Sequence, residues 1–264
     1  MYEFDYAKPG SSAEAVASAS EDTRYLAGGQ SLVQSMRLRL ASASTLIDLG
    51  AIPDLSGITT DAGSVRIGAM TTHAAVAASD DVRRAIPALA ELAGGIGDPM
   101  VRNMGTIGGS LANADPAACY PAGVLGLGAT IQTDRREIAA DDFFLGLYET
   151  ALEPGELVTA VSFPIPEKAA YIKFKQPASR FALVGVMVSK GAAGVRAAVT
   201  GAKACAYRCA EIEAALSKDF SAAALDGLTL PSTDINADLH GSSEYRAAMI
   251  VVMAKRAVAA ALAR

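Results

Sequence analysis

The sequence contains no tryptophan, only two histidines and three cysteines, and few aromatic residues, which occupy 6% of its 264 positions. Cys119, Cys205 and Cys209 are too few for a disulfide framework, so a reducing compartment, the cytoplasm, is expected. Together with the two histidines, these cysteines form none of the spacings typical of zinc or iron–sulfur sites. We therefore predict no metal site in this chain.

Charge and hydropathy exclude further classes of protein. Hydrophobic residues make up 51% of the chain and charged residues 19%, which is too apolar a composition for a disordered protein. The net charge of −5 is opposite in sign to the basic footprint of a nucleic-acid binder. No segment approaches the roughly 20 consecutive apolar residues that a membrane span needs. Neither nucleic-acid binding nor a membrane span is expected.

The order of predicted elements divides the chain into three parts. Residues 1–55 alternate short helices and strands, as in a compact αβαβ unit. Residues 56–166 are mainly helical between strands, and their glycine-dense stretch 94–109 has too few apolar residues in register for a regular helix. Residues 167–264 carry three strands and then helices, which predicts a three-stranded antiparallel sheet with helices on one face. The predicted fold class is α+β.

Two glycine-centred motifs have the chemistry that a phosphate needs. The first glycine motif is Ala-Gly-Gly-Gln-Ser at residues 27–31, and the second is Thr-Ile-Gly-Gly-Ser-Leu-Ala-Asn at residues 106–113. Glycine lets backbone N–H groups converge on an anion, and the neighbouring polar side chains add donors. Each motif alone is also compatible with a simple tight turn. Two of them in successive units favour one elongated ligand with a pyrophosphate, such as a dinucleotide.

The familiar nucleotide-binding and catalytic fingerprints do not occur. There is no Gly-x-Gly-x-x-Gly opening a helix and no Gly-x-x-x-x-Gly-Lys, so a different phosphate cradle is required. Arg102 and Asn103, just ahead of the second glycine motif, either contact phosphate or pack structurally. His73 follows two threonines and is expected at the start of a helix. No Gly-x-Ser-x-Gly elbow and no obvious acid–base pair is present, so we predict no catalytic side chain.

The two glycine motifs and the segment around the second one, residues 96–116, resemble the FAD motifs of a known family. This is the medium, flavin-binding subunit of molybdenum hydroxylases, which include carbon monoxide dehydrogenase and xanthine dehydrogenase. The resemblance covers almost the whole chain, through residues 38–40, 46–49, 66–73, 142–144, 152–156 and 177–185. It implies a two-part FAD-binding domain of the vanillyl-alcohol-oxidase (PCMH) type, residues 1–55 and 56–166, and a C-terminal α+β domain over the flavin.

The resemblance also implies which residues hold FAD. The first motif would wrap the pyrophosphate and the second would hold the adenosine and ribityl portions. Ile96 matches a position near the isoalloxazine, Val158 one that contacts it through the backbone, and Lys173 a cationic neighbour. The full set of implied cofactor residues is Ala27, Gly28, Gly29, Gln30, Ser31, Leu32, Ile96, Thr106, Gly108, Gly109, Ser110, Asn113, Val158 and Lys173. Valine at Gly28 or Gly109 is predicted to abolish FAD retention with the fold mostly intact, because its side chain would fill the space of the phosphate.

The chain departs from the family pattern at two positions. Family members commonly have an aspartate where this chain has Cys119, and a thiol is a poor hydrogen-bond acceptor. Many relatives have Ser-Asp before an aromatic residue, whereas this chain reads Ser179, Arg180, Phe181. Both departures fall in segments that the resemblance assigns to the flavin site.

The function implied by the resemblance is electron transfer through FAD. A large molybdopterin subunit would oxidise the substrate, a small [2Fe–2S] subunit would pass the electrons singly, and the flavin of this chain would deliver them to an external acceptor. The three chains would form a dimer of heterotrimers. One alternative is a self-contained FAD-dependent oxidoreductase acting directly on a small molecule, which would need a proton-transfer residue over the flavin. Another is an assembly or storage module that does not bind FAD.

Overall fold

The computed structural model describes all residues from Met1 to Arg264 and consists of short helices and strands arranged in four sheets. The helices are α1 (Ser12–Ala17), α2 (Leu32–Arg37), α3 (His73–Ala78), α4 (Asp80–Ala85), α5 (Pro87–Gly94), α6 (Pro99–Met104), α7 (Ile107–Asn113), α8 (Cys119–Leu127), α9 (Ala210–Lys218) and α10 (Ser243–Leu262). The strands are β1 (Asp5–Ala7), β2 (Thr23–Leu26), β3 (Thr45–Asp48), β4 (Ile58–Thr60), β5 (Ser64–Gly68), β6 (Thr130–Thr133), β7 (Glu137–Ala139), β8 (Phe144–Gly146), β9 (Glu149–Thr150), β10 (Val158–Pro164), β11 (Lys168–Lys175), β12 (Ala182–Gly191), β13 (Gly194–Thr200) and β14 (Tyr207–Arg208). No helix combines the length and apolar character needed to cross a bilayer.

The first sheet is parallel, with strand order β1-β3-β2, and it is formed by the alternating helices and strands expected near the N-terminus. Its helix α1 begins where the Ser11 hydroxyl accepts a hydrogen bond from the Glu14 backbone N–H at 3.2 Å, a typical N-cap. A small apolar core that includes Ile47 and Leu55 lies beneath the sheet, and Leu157 from a later segment joins it. The first sheet is therefore packed against the residues that precede β10.

The second sheet is antiparallel, with strand order β4-β5-β10-β6-β7, and it supports the largest apolar core of the molecule. The expectation that residues 94–109 hold no regular helix is wrong, because they contain α6 and the start of α7. Both helices are short and begin at capping side chains. The Asp98 carboxylate accepts from the Val101 N–H at 2.9 Å, and the Thr106 hydroxyl accepts from the Gly109 N–H at 3.1 Å. The start of each helix is therefore determined by a capping side chain, which satisfies the first free N–H groups, and not by apolar periodicity.

The third sheet is antiparallel, with strand order β11-β12-β13-β14. It has four strands where the sequence predicts three, because the two-residue strand β14 pairs with Ala198 and Val199 of β13 and is too short to leave a pattern. Helices α9 and α10 pack on one face, as expected. The opposite face packs against α8, all nine residues of which are buried.

Helix α8 is held by hydrogen bonds from the third sheet as well as by apolar packing. The Ser189 hydroxyl donates to the carbonyl of Gly126 at 2.6 Å, and the Arg196 Nε donates to the carbonyl of Leu125 at 2.7 Å. At the other end of the helix, the Thr200 hydroxyl contacts the carbonyl of Ala118 at 2.7 Å. The third sheet thus satisfies carbonyl groups at both ends of α8, a helix that belongs to the large apolar core under the second sheet.

Candidate cofactor site

A cavity of about 740 Å³ lies where residues of all three larger sheets meet, and we call it the main cavity. The segment that follows β2 forms one wall, and the helices α6 and α7 with the segment before β10 form another. Lys173 of β11 and residues 178–181, which precede β12, complete the rim. Pockets that hold small molecules have volumes of roughly 300–1,000 Å³, so this one is large enough for a dinucleotide.

The structure brings the residues proposed from the sequence together on this cavity. All of them except Thr106 line it: Ala27, Gly28, Gly29, Gln30, Ser31, Leu32, Ile96, Gly108, Gly109, Ser110, Asn113, Val158 and Lys173. Thr106 is 3% exposed, and its hydroxyl accepts the Gly109 N–H as the cap of α7. The role of Thr106 is therefore to position the second glycine motif.

The first glycine motif packs against the backbone that immediately precedes the second motif, at Met104 and Gly105. A Cβ atom on Gly28 would lie 1.9 Å from the carbonyl oxygen of Met104 and 2.8 Å from the Cα of Gly105, far inside van der Waals contact. A Cβ atom on Gly109 would lie 3.4 Å from the Cβ of Ala27. Gly29 has a φ of +69°, in the left-handed region that favours glycine. Glycine is thus required for the two motifs to form adjoining walls of the main cavity.

The backbone N–H groups of the first glycine motif are unpaired. None of the five N–H groups of residues 27–31 donates a hydrogen bond to any atom of the chain. Backbone donors that are not exposed to water normally find a partner. A row of unpaired donors on a cavity wall is therefore a site where an anion can bind.

The second glycine motif differs from the first, although the sequence predicts amide donors from both. The Ile107 N–H donates to the carbonyl of Thr71 at 3.2 Å, and the Gly108 N–H donates to the carbonyl of Ala69 at 2.8 Å. The following N–H groups, of residues 109 and 110, bond to Thr106. The second motif consequently presents side chains such as Asn113 to the cavity in place of backbone donors. Sequence composition does not distinguish the two cases, because the partners of these N–H groups come from distant segments.

His73 is a cavity residue that sequence reasoning assigned only to a helix start. That assignment is confirmed, since the Thr72 hydroxyl caps α3 by accepting the Ala75 N–H at 3.2 Å. The imidazole is 5% exposed, lies 5.3 Å from the Tyr120 ring between centroids, and has no partner for Nδ1. Burial, helped by the nearby Arg102 charge, lowers the pKa of His73 to about 4. His73 is neutral at pH 7, and its place in the family-like segment 66–73 is the one signal that could have indicated it.

This lowered pKa predicts a pH dependence of stability. The unfolded chain takes up a proton on His73 near its ordinary pKa of 6.5, whereas the folded chain does so only near pH 4. The free energy of unfolding should therefore fall as the pH decreases between these values. His73→Asn should lose this contribution, whereas His240→Asn at an exposed position should retain it. Urea unfolding at several pH values measures the slopes, and equal slopes for wild type and His73→Asn would contradict the prediction.

Lys173 and Cys119 form a contact at the wall of the main cavity. The Lys173 Nζ donates to the Cys119 Sγ at 3.2 Å, and Cys119 is 4% exposed. Cys119, where the family resemblance implies an aspartate, is thus a buried residue in contact with the Lys173 side chain. The contact holds the positive charge of Lys173 beside the cavity without neutralising it.

A buried carboxylate anchors the segment that leads into Val158. The Glu156 carboxylate accepts hydrogen bonds from the Arg136 Nη2 at 2.9 Å, the Thr133 hydroxyl at 2.8 Å and the Glu153 N–H at 2.8 Å. These donors, with the Arg136 hydrogen bonds contributing most, lower the pKa of Glu156 to about 2. Glu156 is ionised, and its hydrogen bonds to Arg136, Thr133 and Glu153 fix the turn before β10.

Arg102 and Asn103, for which phosphate contact and structural packing are both open from the sequence, lie in different surroundings. The Arg102 Nη1 donates to the carbonyls of Ile96 at 2.9 Å and Gly97 at 3.3 Å, so the guanidinium holds the turn before α6. Asn103 is exposed and does not line the main cavity. Neither residue lines the main cavity. Nowhere in the chain do three or more His, Cys, Asp or Glu side chains converge as a metal site would require.

Comparison with known proteins gives matches over nearly the whole chain. The family model described as "FAD binding domain in molybdopterin dehydrogenase" matches residues 2–166. The carbon monoxide dehydrogenase medium chain of Afipia carboxidovorans is 39% identical, with 99% of this chain and 97% of that protein covered. The nicotine 6-hydroxylase medium subunit of Paenarthrobacter nicotinovorans is 36% identical, with 98% and 97% covered.

Solved structures agree with these sequence matches. Reconstituted CO dehydrogenase from Oligotropha carboxidovorans contains a chain that superposes with a TM-score of 0.91 at 37% identity, with 100% of this chain and 99% of that chain covered. Quinoline 2-oxidoreductase from Pseudomonas putida 86 contains one that superposes with a TM-score of 0.87 at 30% identity, with 98% and 97% covered.

Proposed function

Because the chain belongs to the family of FAD-binding domains in molybdopterin dehydrogenases, we propose that it binds FAD and relays electrons within a larger complex. The resemblance read from the two glycine motifs is confirmed by the family match, and with it the α+β fold and FAD as the cofactor. Bound FAD would supply the redox chemistry, since flavins accept and release electrons singly or in pairs. The protein supplies the position and the electrostatic environment of the ring.

The residues of the main cavity fit FAD. The observation that carries the proposal is the run of five unpaired N–H groups in the first glycine motif, which suits the negative oxygens of a pyrophosphate. Gly28 and Gly29 leave no side chain between these donors and the cavity. Asn113 and Ile96 line the same cavity as this motif.

We assign the cofactor contacts accordingly. Residues 27–32 hold the pyrophosphate, and Ser110 and Asn113 hold the adenosine and ribityl portions together with Gly108 and Gly109. Thr106 acts through the cap of α7 instead of by direct contact. Ile96 and Val158 pack beside the isoalloxazine. Lys173 places a positive charge near the ring, which favours the negative charge of a reduced flavin.

We further propose the complex in which this chain works. Its relatives are medium chains or subunits, which by their names have smaller and larger companions. A large molybdopterin subunit and a small [2Fe–2S] subunit would complete a heterotrimer, two of which associate, in the cytoplasm. Residues 1–55 and 56–166 would be the two FAD-binding subdomains, and residues 167–264 the C-terminal domain.

The rival functions receive less support from the cavity. A self-contained oxidoreductase needs a side chain that moves a proton over the flavin. His73 stays neutral down to a pKa of about 4, and Glu156 is locked to Arg136 with a pKa of about 2, so neither suits that role near pH 7. A module without FAD would have no use for the unpaired N–H groups of residues 27–31.

Purification from the native cell tests the proposed function directly. We expect a yellow complex with about one FAD per copy of this chain, accompanied by a large and a small subunit in the mass spectrum. A colourless chain that ignores added FAD would contradict FAD binding. A yellow chain that is fully active alone would contradict electron transfer within a complex.

Asn113 offers a test of the assigned contacts. Asn113→Ala removes a side-chain amide from the main cavity, and we expect FAD affinity to fall about fivefold, since one hydrogen bond contributes about 1 kcal/mol. Asn236→Ala makes the same change at an exposed position in the C-terminal part and should leave affinity unchanged. Quenching of flavin fluorescence on titration with protein measures both. Equal FAD affinities for the two variants would show that the Asn113 side chain does not contact the cofactor.

A further inference from the structure

A second cavity of about 390 Å³ opens beside the main cavity, and the two share Gly97 and Arg180. We call it the cationic pocket. Three of its lining residues, Arg102, Lys175 and Arg180, carry positive charges, no carboxylate lines it, and the ring of Pro177 is its one apolar side chain. Its chemistry therefore differs from that of the main cavity, half of whose lining residues are hydrophobic.

The three charges of the cationic pocket are not neutralised by the protein. None of these side chains has a carboxylate oxygen within 4.0 Å, although the chain carries 28 acidic residues and a net charge of −5. The Nη1 atoms of Arg102 and Arg180 lie 3.3 Å and 3.5 Å from the same carbonyl oxygen, that of Gly97. Two guanidinium groups are thus held close together, where their charges repel each other unless an anion lies between them.

Neighbouring groups add further hydrogen-bond donors. The Gln176 Oε1 accepts from both the N–H and the hydroxyl of Ser179, which leaves the Gln176 Nε2 as a donor. The Gly97 N–H has no partner within the chain. Donors and positive charges therefore predominate around the cationic pocket.

The backbone of Arg180 is fixed in an unusual conformation. Its φ is +63°, a left-handed value that is uncommon outside glycine, and its N–H donates to the carbonyl of Gln176 at 2.8 Å. Such strained positions concentrate where a side chain must be held in one place. Here the residue in that conformation lines both cavities, with its guanidinium against the carbonyl of Gly97.

We propose that the cationic pocket binds the phosphate or pyrophosphate group of a small molecule that extends along the shared rim into the mouth of the main cavity. A concave site with three cations and a single apolar side chain suits a multiply charged anion, and it does not suit an apolar quinone. If the main cavity holds FAD, as the proposed function states, the molecule so anchored is an anionic electron acceptor. This extends the proposed function from the cofactor to the chemical class of its oxidant.

Binding of pyrophosphate tests the proposal. The probe is titrated calorimetrically into the full chain loaded with FAD, so that the first glycine motif is already filled. In the double variant Lys175→Gln/Arg180→Gln we expect Kd to rise at least about tenfold, because two charge-assisted contacts are lost. Arg102 is left unchanged because it also holds the turn before α6.

A matched control removes the same amount of charge elsewhere. Lys218→Gln/Arg256→Gln alters two exposed cations in the C-terminal part that form no salt bridge, and pyrophosphate binding should be unchanged. Equal Kd values in all three proteins, or no binding at all, would overturn the proposal. Binding to the chain but not to the assembled complex would also overturn it, because a partner subunit would then cover the pocket.

Oxidants of opposite charge test the link to electron transfer. Each reduced FAD gives one electron to each of two ferricyanide ions and releases two protons, and the cation ferrocenium accepts electrons in the same ratio. The ferricyanide rate relative to the ferrocenium rate should fall about tenfold in Lys175→Gln/Arg180→Gln but not in the control double variant. An unchanged ratio of the two rates would contradict the proposal that the pocket binds the electron acceptor. If the chain fails to bind FAD, the proposed function fails, while the pyrophosphate titration still tests the pocket.

Discussion

Gly28→Val is expected to abolish FAD binding, with an affinity loss of at least about 100-fold, and to lower the free energy of unfolding by about 3 kcal/mol. The Cβ atom would lie 1.9 Å from the carbonyl oxygen of Met104, and this neighbour is backbone that cannot rotate away. The first glycine motif must then move off α6, which displaces its row of N–H donors. The sequence argument expects the same loss of FAD with the fold intact. The structure adds a loss of stability through the contact of Gly28 with the backbone of Met104 and Gly105.

Gly63→Val provides the matched control, because a Cβ atom at Gly63 has no heavy atom within 4 Å. This variant should bind FAD as tightly as the wild type. Fluorescence titration with FAD and urea unfolding of the apo chain measure the two effects separately. Full FAD occupancy in Gly28→Val would refute the backbone contact as the feature that positions the first motif.

Glu156→Gln is expected to lower the free energy of unfolding by about 2 kcal/mol at pH 7, because it removes a charge that accepts several hydrogen bonds inside the protein. The variant leaves the Arg136 guanidinium without its main partner and loosens the turn before Val158. Since Val158 lines the main cavity, FAD affinity should fall as well. Glu149→Gln, at an exposed position without a salt bridge, should change neither quantity.

The sign of the pH dependence gives a second measurement on Glu156. Its pKa is lowered from the ordinary 4.5 to about 2, so the ionised carboxylate contributes its stabilisation above pH 4.5 and loses it as the pH falls toward 2. The difference in unfolding free energy between wild type and Glu156→Gln should therefore shrink across this interval. A difference that stays constant down to pH 2 would show that the ion pair is not its cause.

The composition of the site could be predicted from the sequence because the two glycine motifs are local patterns. The glycine, serine and asparagine residues of each motif can be recognised within a short segment of sequence. Thirteen of the residues proposed in this way line one cavity. The partners of the backbone N–H groups were not predictable in the same way. The carbonyl groups of Thr71 and Ala69 accept hydrogen bonds from the N–H groups of the second motif. These two residues come from an earlier segment of the chain, which only the fold brings next to the motif.

The helices α6 and α7 and the position of Arg180 could not be predicted from the sequence for a related reason. Helices α6 and α7 depend on the caps Asp98 and Thr106, and a single capping side chain leaves almost no periodic signal. Arg180 reaches the cavities across the boundary between two sheets. Its role follows from tertiary structure, which a pattern in one segment does not contain.

The burial of helix α8 has a consequence for how this family can evolve. The family match ends at residue 166, yet the sheet that follows covers the helix and satisfies its carbonyl groups at Gly126 and Leu125. A protein that inherited the matched segment alone would expose to water an uncharged helix whose nine residues are all buried here. Gene rearrangement is thus constrained to transfer both parts together, or to provide a substitute surface for this one helix.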